Sequence, residues 1–252
     1  MKTSLCRCSN SRTRKLVNSR TSFAVIIPAA GKGKRFGGSI PKPFVELCGK
    51  PIIYLTIKRY LSVTGLSHII VVIPRDLSRD CRKIVNALIR MDPRIRTVWG
   101  GATRRQSVGY GLRALIRQGN IPPVTLVHDA VRPLVSGKLI RAVVRGAVRH
   151  GAVLPLLPVT DTLKRRDDRG FVTGTVSREG LFQAQTPQGF RTRLLVEAHA
   201  RAEAMDLAVT DDTQLVEVLG LGRVAGIPGD PRNVKITRPE DKDAARTLAG
   251  FH

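Results

Sequence analysis

The sequence predicts an α/β fold: a mostly parallel sheet flanked by helices, with a protruding β-hairpin arm. Three observations carry this. Short apolar runs rich in Val, Ile and Leu recur along the chain, and stretches of helical periodicity separate them. The runs show little apolar–polar alternation, as expected of strands buried on both faces. One polar segment, Asp161–Arg178, breaks the rhythm with a turn signal and an alternating pattern.

The elements follow in order. Phe23–Ile27 is the first buried strand, ended by Pro28 and a loop of small residues. Pro51–Ser62 opens with proline and places Ile52, Leu55, Ile57 and Leu61 at helical spacing, with proline suited to a first helical turn. Ile69–Ile73 is the second strand, and Leu77–Arg90 carries apolar residues at 77, 81, 84, 85, 88 and 89. Ile95–Trp99 is the third strand, stopped by Gly100-Gly101; about Arg104–Arg117 follows as a helix with Val108, Leu112, Leu115 and Ile116 on one face. Val124–Val127 is the fourth strand. In Lys138–Arg149 the residues 139, 140, 143, 144, 147 and 148 form an apolar stripe, the mark of a helix laid on a core. Ala152–Leu156 is the fifth strand. Strand and helix in alternation imply a parallel sheet covered on two sides.

Within Asp161–Arg178 the turn signal lies at Asp168–Gly170. A two-stranded ribbon is rarely stable alone, so the arm is expected to clasp a second subunit, giving a homodimer; the alternative is a floppy loop. Thr210-Asp211-Asp212 precedes another helix, and Asn233–Thr237 reads as a short strand carrying Lys235 among apolar neighbours.

The 252 residues, 42% hydrophobic, suit one domain over 23–252 with its arm at about 161–178. Residues 1–22 stand apart as a disordered basic leader: Lys2, Arg7, Arg12, Arg14, Lys15 and Arg20 are interspersed with Ser, Thr and Asn, with no acid. That composition fits an organellar transit peptide, a bacterial extension or a mis-assigned start. No apolar run approaches a membrane span, and the leader has no apolar core for secretion. The cysteines at 6, 8, 48 and 81 lack metal-finger or thioredoxin spacing and read as reduced thiols. The expected location is cytoplasmic, or plastid if the leader is a transit peptide. The net charge of +24 raises nucleic-acid binding as an alternative. The cations are spread along the chain, however, and three Tyr, one Trp and seven Phe provide little stacking surface. A nucleic-acid partner is not expected. The charge instead draws anionic substrates to a cleft.

Function is most legible in FAVIIPAAGKGKRFGGSIPK. Ala29, Ala30, Gly31 and Gly33 present backbone N–H groups with nothing bulky in front of them. Lys32, Lys34, Arg35 and Lys42 add fixed charge, so the loop suits a polyphosphate. It is not a P-loop, because neither Gly31-Lys32 nor Gly33-Lys34 is followed by Ser or Thr. It is not a dinucleotide fingerprint, because Phe36 occupies the third glycine position. A surface turn with solvated lysines remains the plain alternative.

Ligands of parallel sheets bind beyond the carboxyl ends of the strands. The glycine–lysine loop, GGATRRQS and HDAVRP are therefore expected to meet in one crevice. There Gly101 and its neighbour let backbone approach a flat ligand, and Ser107 offers a hydroxyl; a capped turn is the alternative. Asp129 can accept from a polyol, and Arg132 can grip a phosphate with two N–H donors, unless the two simply pair. His128 reads as structural. No nucleophile triad or zinc motif is present. The surplus of cations suits a transfer in which the substrate supplies the nucleophile and the protein positions it and neutralises charge.

Seven segments, PAAGKGKRFGGSIPKPF, GGATRRQSV, HDAVRP, VTDTLKR, AQTPQGF, TDDTQLVE and NVKITRPED, together resemble the 2-C-methyl-D-erythritol 4-phosphate cytidylyltransferases of the non-mevalonate isoprenoid pathway. The resemblance runs in register from Phe23 to the C-terminus. It implies a Rossmann-like fold and the joining of methylerythritol phosphate to the α-phosphorus of CTP, with release of pyrophosphate and help from magnesium. By resemblance, Arg35 and Lys42 stabilise the transition state, and Arg178 and Lys235 position methylerythritol phosphate. Ala29, Ala30, Gly31 and Gly33 hold the triphosphate, while Gly101, Ala102 and Ser107 lie near the cytosine. Asp129, Arg132, Thr162, Thr186 and Thr210 bind the sugar phosphate. The arm crosses to the partner in that family, so Thr162 and Arg178 are expected to serve the neighbouring site. No protein metal site is implied: Mg2+ is held mainly by substrate phosphates. Ala102-Thr103 and Asp212 fall at positions expected to vary, and the cyclodiphosphate synthase domain fused to some relatives is not expected. A ribitol 5-phosphate cytidylyltransferase is the nearest competitor, with Thr162, Arg178 and Thr186 favouring the isoprenoid enzyme. A dehydrogenase is weakened by Phe36.

Overall fold

A computed structural model of the chain describes residues 21–31 and 40–250. The elements predicted from periodicity are present, most of them within one to three residues of their expected bounds. They are β1 (Phe23–Pro28), α1 (Ile52–Leu61), β4 (Leu66–Ile73), α2 (Arg79–Met91), β5 (Ile95–Trp99), α3 (Arg104–Ile116), β6 (Val124–Val127), α4 (Gly137–His150) and β7 (Ala152–Pro158). Between β1 and α1 lie a 3-10 turn at Lys42–Phe44 and a small hairpin, β2 (Glu46–Leu47) with β3 (Lys50–Pro51). After β7 come β8 (Leu163–Arg166), β9 (Val172–Val176), β10 (Phe182–Ala184), β11 (Gln188–Arg191), α5 (Thr192–Ala204), α6 (Asp212–Val218), β12 (Val224–Pro228) and α7 (Asp241–Ala249).

The main sheet runs β10-β7-β11-β6-β1-β4-β5, with β12 on the other edge of β7. Strands β6, β1, β4 and β5 are mutually parallel, and β12 is parallel to β7. The antiparallel members are β11, wedged between β6 and β7, and β10. Alternation within β1 decides the layering. Val25 and Ile27 face one cluster with Ile57 and Tyr60 of α1, Val85 and Leu88 of α2 and Val143 of α4. Ala24 and Ile26 face another with Val108, Leu112 and Leu115 of α3, and Leu195 of α5. Each such fully buried aliphatic side chain contributes about 1.5–3 kcal/mol, and both faces are needed. Gly111 lets α3 sit close: a Cβ there would fall 2.7 Å from Ile26 Cγ2.

The arm is a separate two-stranded sheet, β8 antiparallel to β9, registered from Leu163↔Val176 to Arg166↔Val172. Its turn is closed by the Asp167 carboxylate, which accepts from the Phe171 amide at 2.8 Å. Phe171 and Val172 remain 70% and 64% exposed at its tip. Among the described residues no helix is long and apolar enough to cross a membrane.

One expectation fails. Asn233–Thr237 is not a strand but an irregular extended segment. A strand needs a repeating ladder, and this segment makes one backbone bond of that kind, from Ile236 N to Val131 O at 2.9 Å. Its other bonds are a local turn from Asn233 N to Asp230 O at 2.9 Å and bonds that involve side chains.

Candidate active site

Three loops meet beyond the carboxyl ends of β1, β5 and β6, as strand polarity requires. They line a crevice of about 580 Å³ with Pro28, Ala29, Ala30 and Gly31 from the first, Gly101 to Arg104 and Ser107 from the second, and Asp129 to Val131 from the third. Lys42, Pro43 and Lys235 complete the wall. Backbone bonds tie the first two loops to the end of β4: Ala29 N donates to Val72 O at 2.7 Å and Gly100 N to Ile73 O at 2.8 Å.

The glycines of the second loop have a tighter purpose than approach to a ligand. A Cβ on Gly100 would fall 2.3 Å from Ala30 Cβ, and one on Gly101 would fall 2.6 Å from Gln106 Cβ. Gly100 thus seats this loop against the first, and Gly101 lets it fold closely over the start of α3. Thr103 caps α3 by accepting from Gln106 N at 3.1 Å, with the Gln106 side chain reaching back to Thr103 N, a capping box. Ser107 is buried; its hydroxyl donates to Thr103 O at 3.0 Å and accepts from Gly101 N at 3.2 Å. It therefore shapes the loop as well as lining the crevice.

Asp129 is the carboxylate of the floor, with a side chain 12% exposed. Its Oδ2 accepts from Lys235 Nζ at 3.0 Å and from Arg132 Nε at 3.3 Å. Burial pushes its pKa up, but the Lys235 ammonium and the Arg132 and Arg104 guanidiniums outweigh burial and hold it well below the usual carboxylate range. It is ionised at neutral pH. Beneath it, the Asp129 amide donates to Thr186 Oγ1 at 3.1 Å. Thr186 Oγ1 lies 3.1 Å from His128 Nδ1, and His128 Nε2 lies 3.2 Å from the Arg132 carbonyl. A carbonyl only accepts, so Nε2 carries the proton and Nδ1 takes the Thr186 hydroxyl hydrogen. Burial depresses the His128 pKa to about 4, and the ring is neutral. The structural reading of His128 agrees with this geometry.

Two of the expected site residues are engaged within the protein. Thr186 is buried, and its hydroxyl pairs with His128 and the Asp129 amide, which supports the floor. Arg132 is also buried: Nη1 donates to Asn233 O at 2.7 Å while Nε holds Asp129. These bonds fix the segment that delivers Lys235, and among the described residues Nη2 has no partner.

Other residues fall as follows. Lys42 Nζ approaches Thr237 O at 3.4 Å and lines the crevice with Lys235. Ala29, Ala30, Gly31, Gly101 and Ala102 line it as expected. Thr210 is exposed just before α6, its hydroxyl donating to Gln214 Oε1 at 3.2 Å, and is not part of the lining. Thr162 and Arg178 sit exposed at the foot of the arm, away from this crevice, with Arg178 Nη1 donating to Thr160 O. Gly33 and Arg35 lie outside the described residues.

Sequence reasoning missed Arg104. It is the first residue of α3, lines the crevice and binds Asp212 Oδ2 at 2.6 Å. A signal was available: a cation in a first helical turn opposes the macrodipole. Asp212, expected at a variable position, is 1% exposed and bonded on several sides.

Chemically, the crevice joins small residues and open backbone at one end to ammonium and guanidinium groups around an ionised acid at the other. The chain is similar in sequence and fold to known proteins. The family model for IspD, 2-C-methyl-D-erythritol 4-phosphate cytidylyltransferase, matches residues 23–249. The 2-C-methyl-D-erythritol 4-phosphate cytidylyltransferase of Salinibacter ruber is 42% identical over 226 residues, 90% of this chain and 92% of that one. The bifunctional enzyme IspD/IspF of Desulfotalea psychrophila is 43% identical over 218 residues, 86% of this chain; the match spans 54% of its length, about half. The crystal structure of the Thermus thermophilus 2-C-methyl-D-erythritol 4-phosphate cytidylyltransferase superposes with a TM-score of 0.74 at 35% identity, covering 90% of this chain and 98% of that one.

Proposed function

This chain belongs to the 2-C-methyl-D-erythritol 4-phosphate cytidylyltransferase family, and from that premise we infer that it is a nucleotidyltransferase converting CTP and 2-C-methyl-D-erythritol 4-phosphate to the diphosphocytidyl product and pyrophosphate. The observation that carries the reading is the convergence of Lys42, Arg104 and Lys235 with Asp129 on one crevice behind the small-residue loop. In the proposed step an oxygen of the acceptor phosphate bonds to the α-phosphorus of CTP while the bond from that phosphorus to the β-phosphate oxygen breaks. The electron pair leaves with pyrophosphate, and no protein nucleophile is needed.

Arg35 and Lys42 are proposed to stabilise charge on the α-phosphate, and Lys235 to orient the acceptor. Ala29, Ala30, Gly31 and Gly33 would hold the triphosphate, with Gly101, Ala102 and Ser107 around the base. Asp129 is suited to accept acceptor hydroxyls, being ionised, close to Lys235 and held in place from beneath. Thr210, exposed just before α6, is proposed to meet the same substrate once it is bound.

Magnesium fits as a companion of the nucleotide. Among the described residues no three His, Cys, Asp or Glu side chains cluster as a metal cage, and Mg2+ usually takes phosphate oxygens, waters and one or two carboxylates. When bound it would supply neutralisation of the polyphosphate, with Asp129 the carboxylate nearest to hand on the crevice wall.

We further propose a homodimer in which each arm completes the neighbour's crevice with Thr162 and Arg178. This is supported by their exposure on an arm that stands apart from the main sheet. Pyrophosphate release with CTP and methylerythritol phosphate, against CTP and ribitol 5-phosphate, tests the substrate assignment. Turnover with the first and little with the second is expected; preference for ribitol 5-phosphate would overturn it.

A further inference from the structure

We propose that Arg104 is a further catalytic cation, set at the seam between nucleotide and acceptor, and that buried Asp212 is the residue that positions it. The proposal rests on the cytidylyl-transfer reading above. Arg104 starts α3, where the macrodipole disfavours positive charge, so helix stability does not account for it. Its side chain, 29% exposed, lines the same crevice as Gly101, Ala102 and Ser107, proposed for the nucleotide, and Asp129, proposed for the acceptor.

The anchor comes from a different part of the chain. Asp212, first residue of α6, accepts from Arg104 Nη1 on Oδ2 at 2.6 Å and from His199 Nε2 on Oδ1 at 3.1 Å. Its own amide donates to Gln188 Oε1 at 3.0 Å. An acid 1% exposed is thus fixed from three elements, α3, α5 and β11. Burying such a pair is poor value for stability alone, since desolvation consumes most of the attraction; a defined orientation is what it secures. A guanidinium has five N–H donors, and among the described residues only Nη1 of Arg104 has a partner. The others are available to phosphate oxygens. As the acceptor oxygen bonds to the α-phosphorus and the bond to pyrophosphate breaks, two anionic groups are crowded at this seam. A cation held there beforehand lowers that barrier without reorganising.

The test is steady-state pyrophosphate release and thermal unfolding of the full chain as wild type, Arg104→Gln, Arg104→Lys, Asp212→Asn and the Arg104→Gln/Asp212→Asn double variant. Arg104→Gln is expected to lower kcat by about 100- to 1,000-fold, with a smaller change in KM for CTP and partial recovery in Arg104→Lys. Asp212→Asn is expected to lower kcat in the same direction, and the double variant to be no slower than Arg104→Gln alone, since residues acting as a unit are not additive. His199→Gln loosens the acid without removing it and gives a second route through the same cycle if Asp212→Asn does not fold. Wild-type kcat in Arg104→Gln would overturn the catalytic role. Losses that multiply in the double variant, with Tm falling in parallel, would make Asp212 a structural brace and overturn its positioning role. Absence of turnover in the wild-type chain would instead remove the cytidylyl-transfer reading, and this inference with it.

Discussion

The floor under Asp129 and the arm beyond β7 carry the proposed chemistry in opposite ways. On the floor, the side chains of Asp129, Arg132, His128 and Thr186 bond to one another or to nearby backbone, and they are buried or nearly so. The arm has two strands whose residues are half-buried or exposed, and an apolar tip left in water. One region is completed by its own bonds; the other leaves its side chains largely exposed. The difference teaches where catalytic precision is stored. The groups of the floor are held by a mutual hydrogen-bond network, whereas Thr162 and Arg178 lie exposed at the foot of the arm, to be ordered by the proposed dimer.

The sharpest way to break this comparison is at the crevice side. Lys42→Ala is expected to lower kcat by about 100- to 1,000-fold, the cost of losing one charge-stabilising donor, with an unchanged circular dichroism spectrum. Arg35→Ala should behave alike. Near-normal kcat in Lys42→Ala would remove its assigned role.

A mixing experiment sharpens the arm side. Arg178→Ala and Lys42→Ala chains, each inactive alone, should recover about a quarter of wild-type activity after co-refolding, because half of the statistical two-fold dimers then hold one intact composite site. No recovery, with dimers demonstrated by light scattering, would mean that each arm serves its own crevice.

The smallest effect is on stability. His128 has its pKa lowered from 6.5 to about 4 by burial. The unfolded chain therefore binds a proton that the folded chain refuses between those values. Its contribution, roughly 3 kcal/mol, is complete above the unfolded value and is lost as pH falls toward the folded one. Asp129 is also depressed, so its share is lost only at more acid pH. Urea midpoints should drop between pH 7 and pH 4.5, and His128→Asn should flatten that dependence. An equal slope in the variant would place the titration elsewhere.

Much of this was legible in the residues. Buried strands such as Phe23–Ile27 and Val124–Val127 announce themselves by continuous apolar character, and strand polarity then brings three loops together. What escaped is non-local. Arg104 gains its meaning from Asp212, 108 positions away, and no local pattern carries such a partner. Thr186 reads as an available hydroxyl until His128 is found against it. Lys235 seemed to need a strand, yet it is delivered by an irregular segment pinned by Arg132 and Ile236. β10 and β11 are three and four residues long, too short for periodicity to register.

The position of β11 has a consequence for how the molecule is made. Among the described residues no bond joins β6 directly to β7; β11, synthesised some sixty residues later, is the wedge between them. A nascent chain that has emerged only as far as Pro158 holds one edge of β6 and both edges of β7 with no mate. Closing the sheet waits for a distant segment to thread into its middle, a pairing of high contact order of the kind that slows folding. Until Gln188 arrives those unpaired edges are open to other chains, the condition under which aggregation competes with folding.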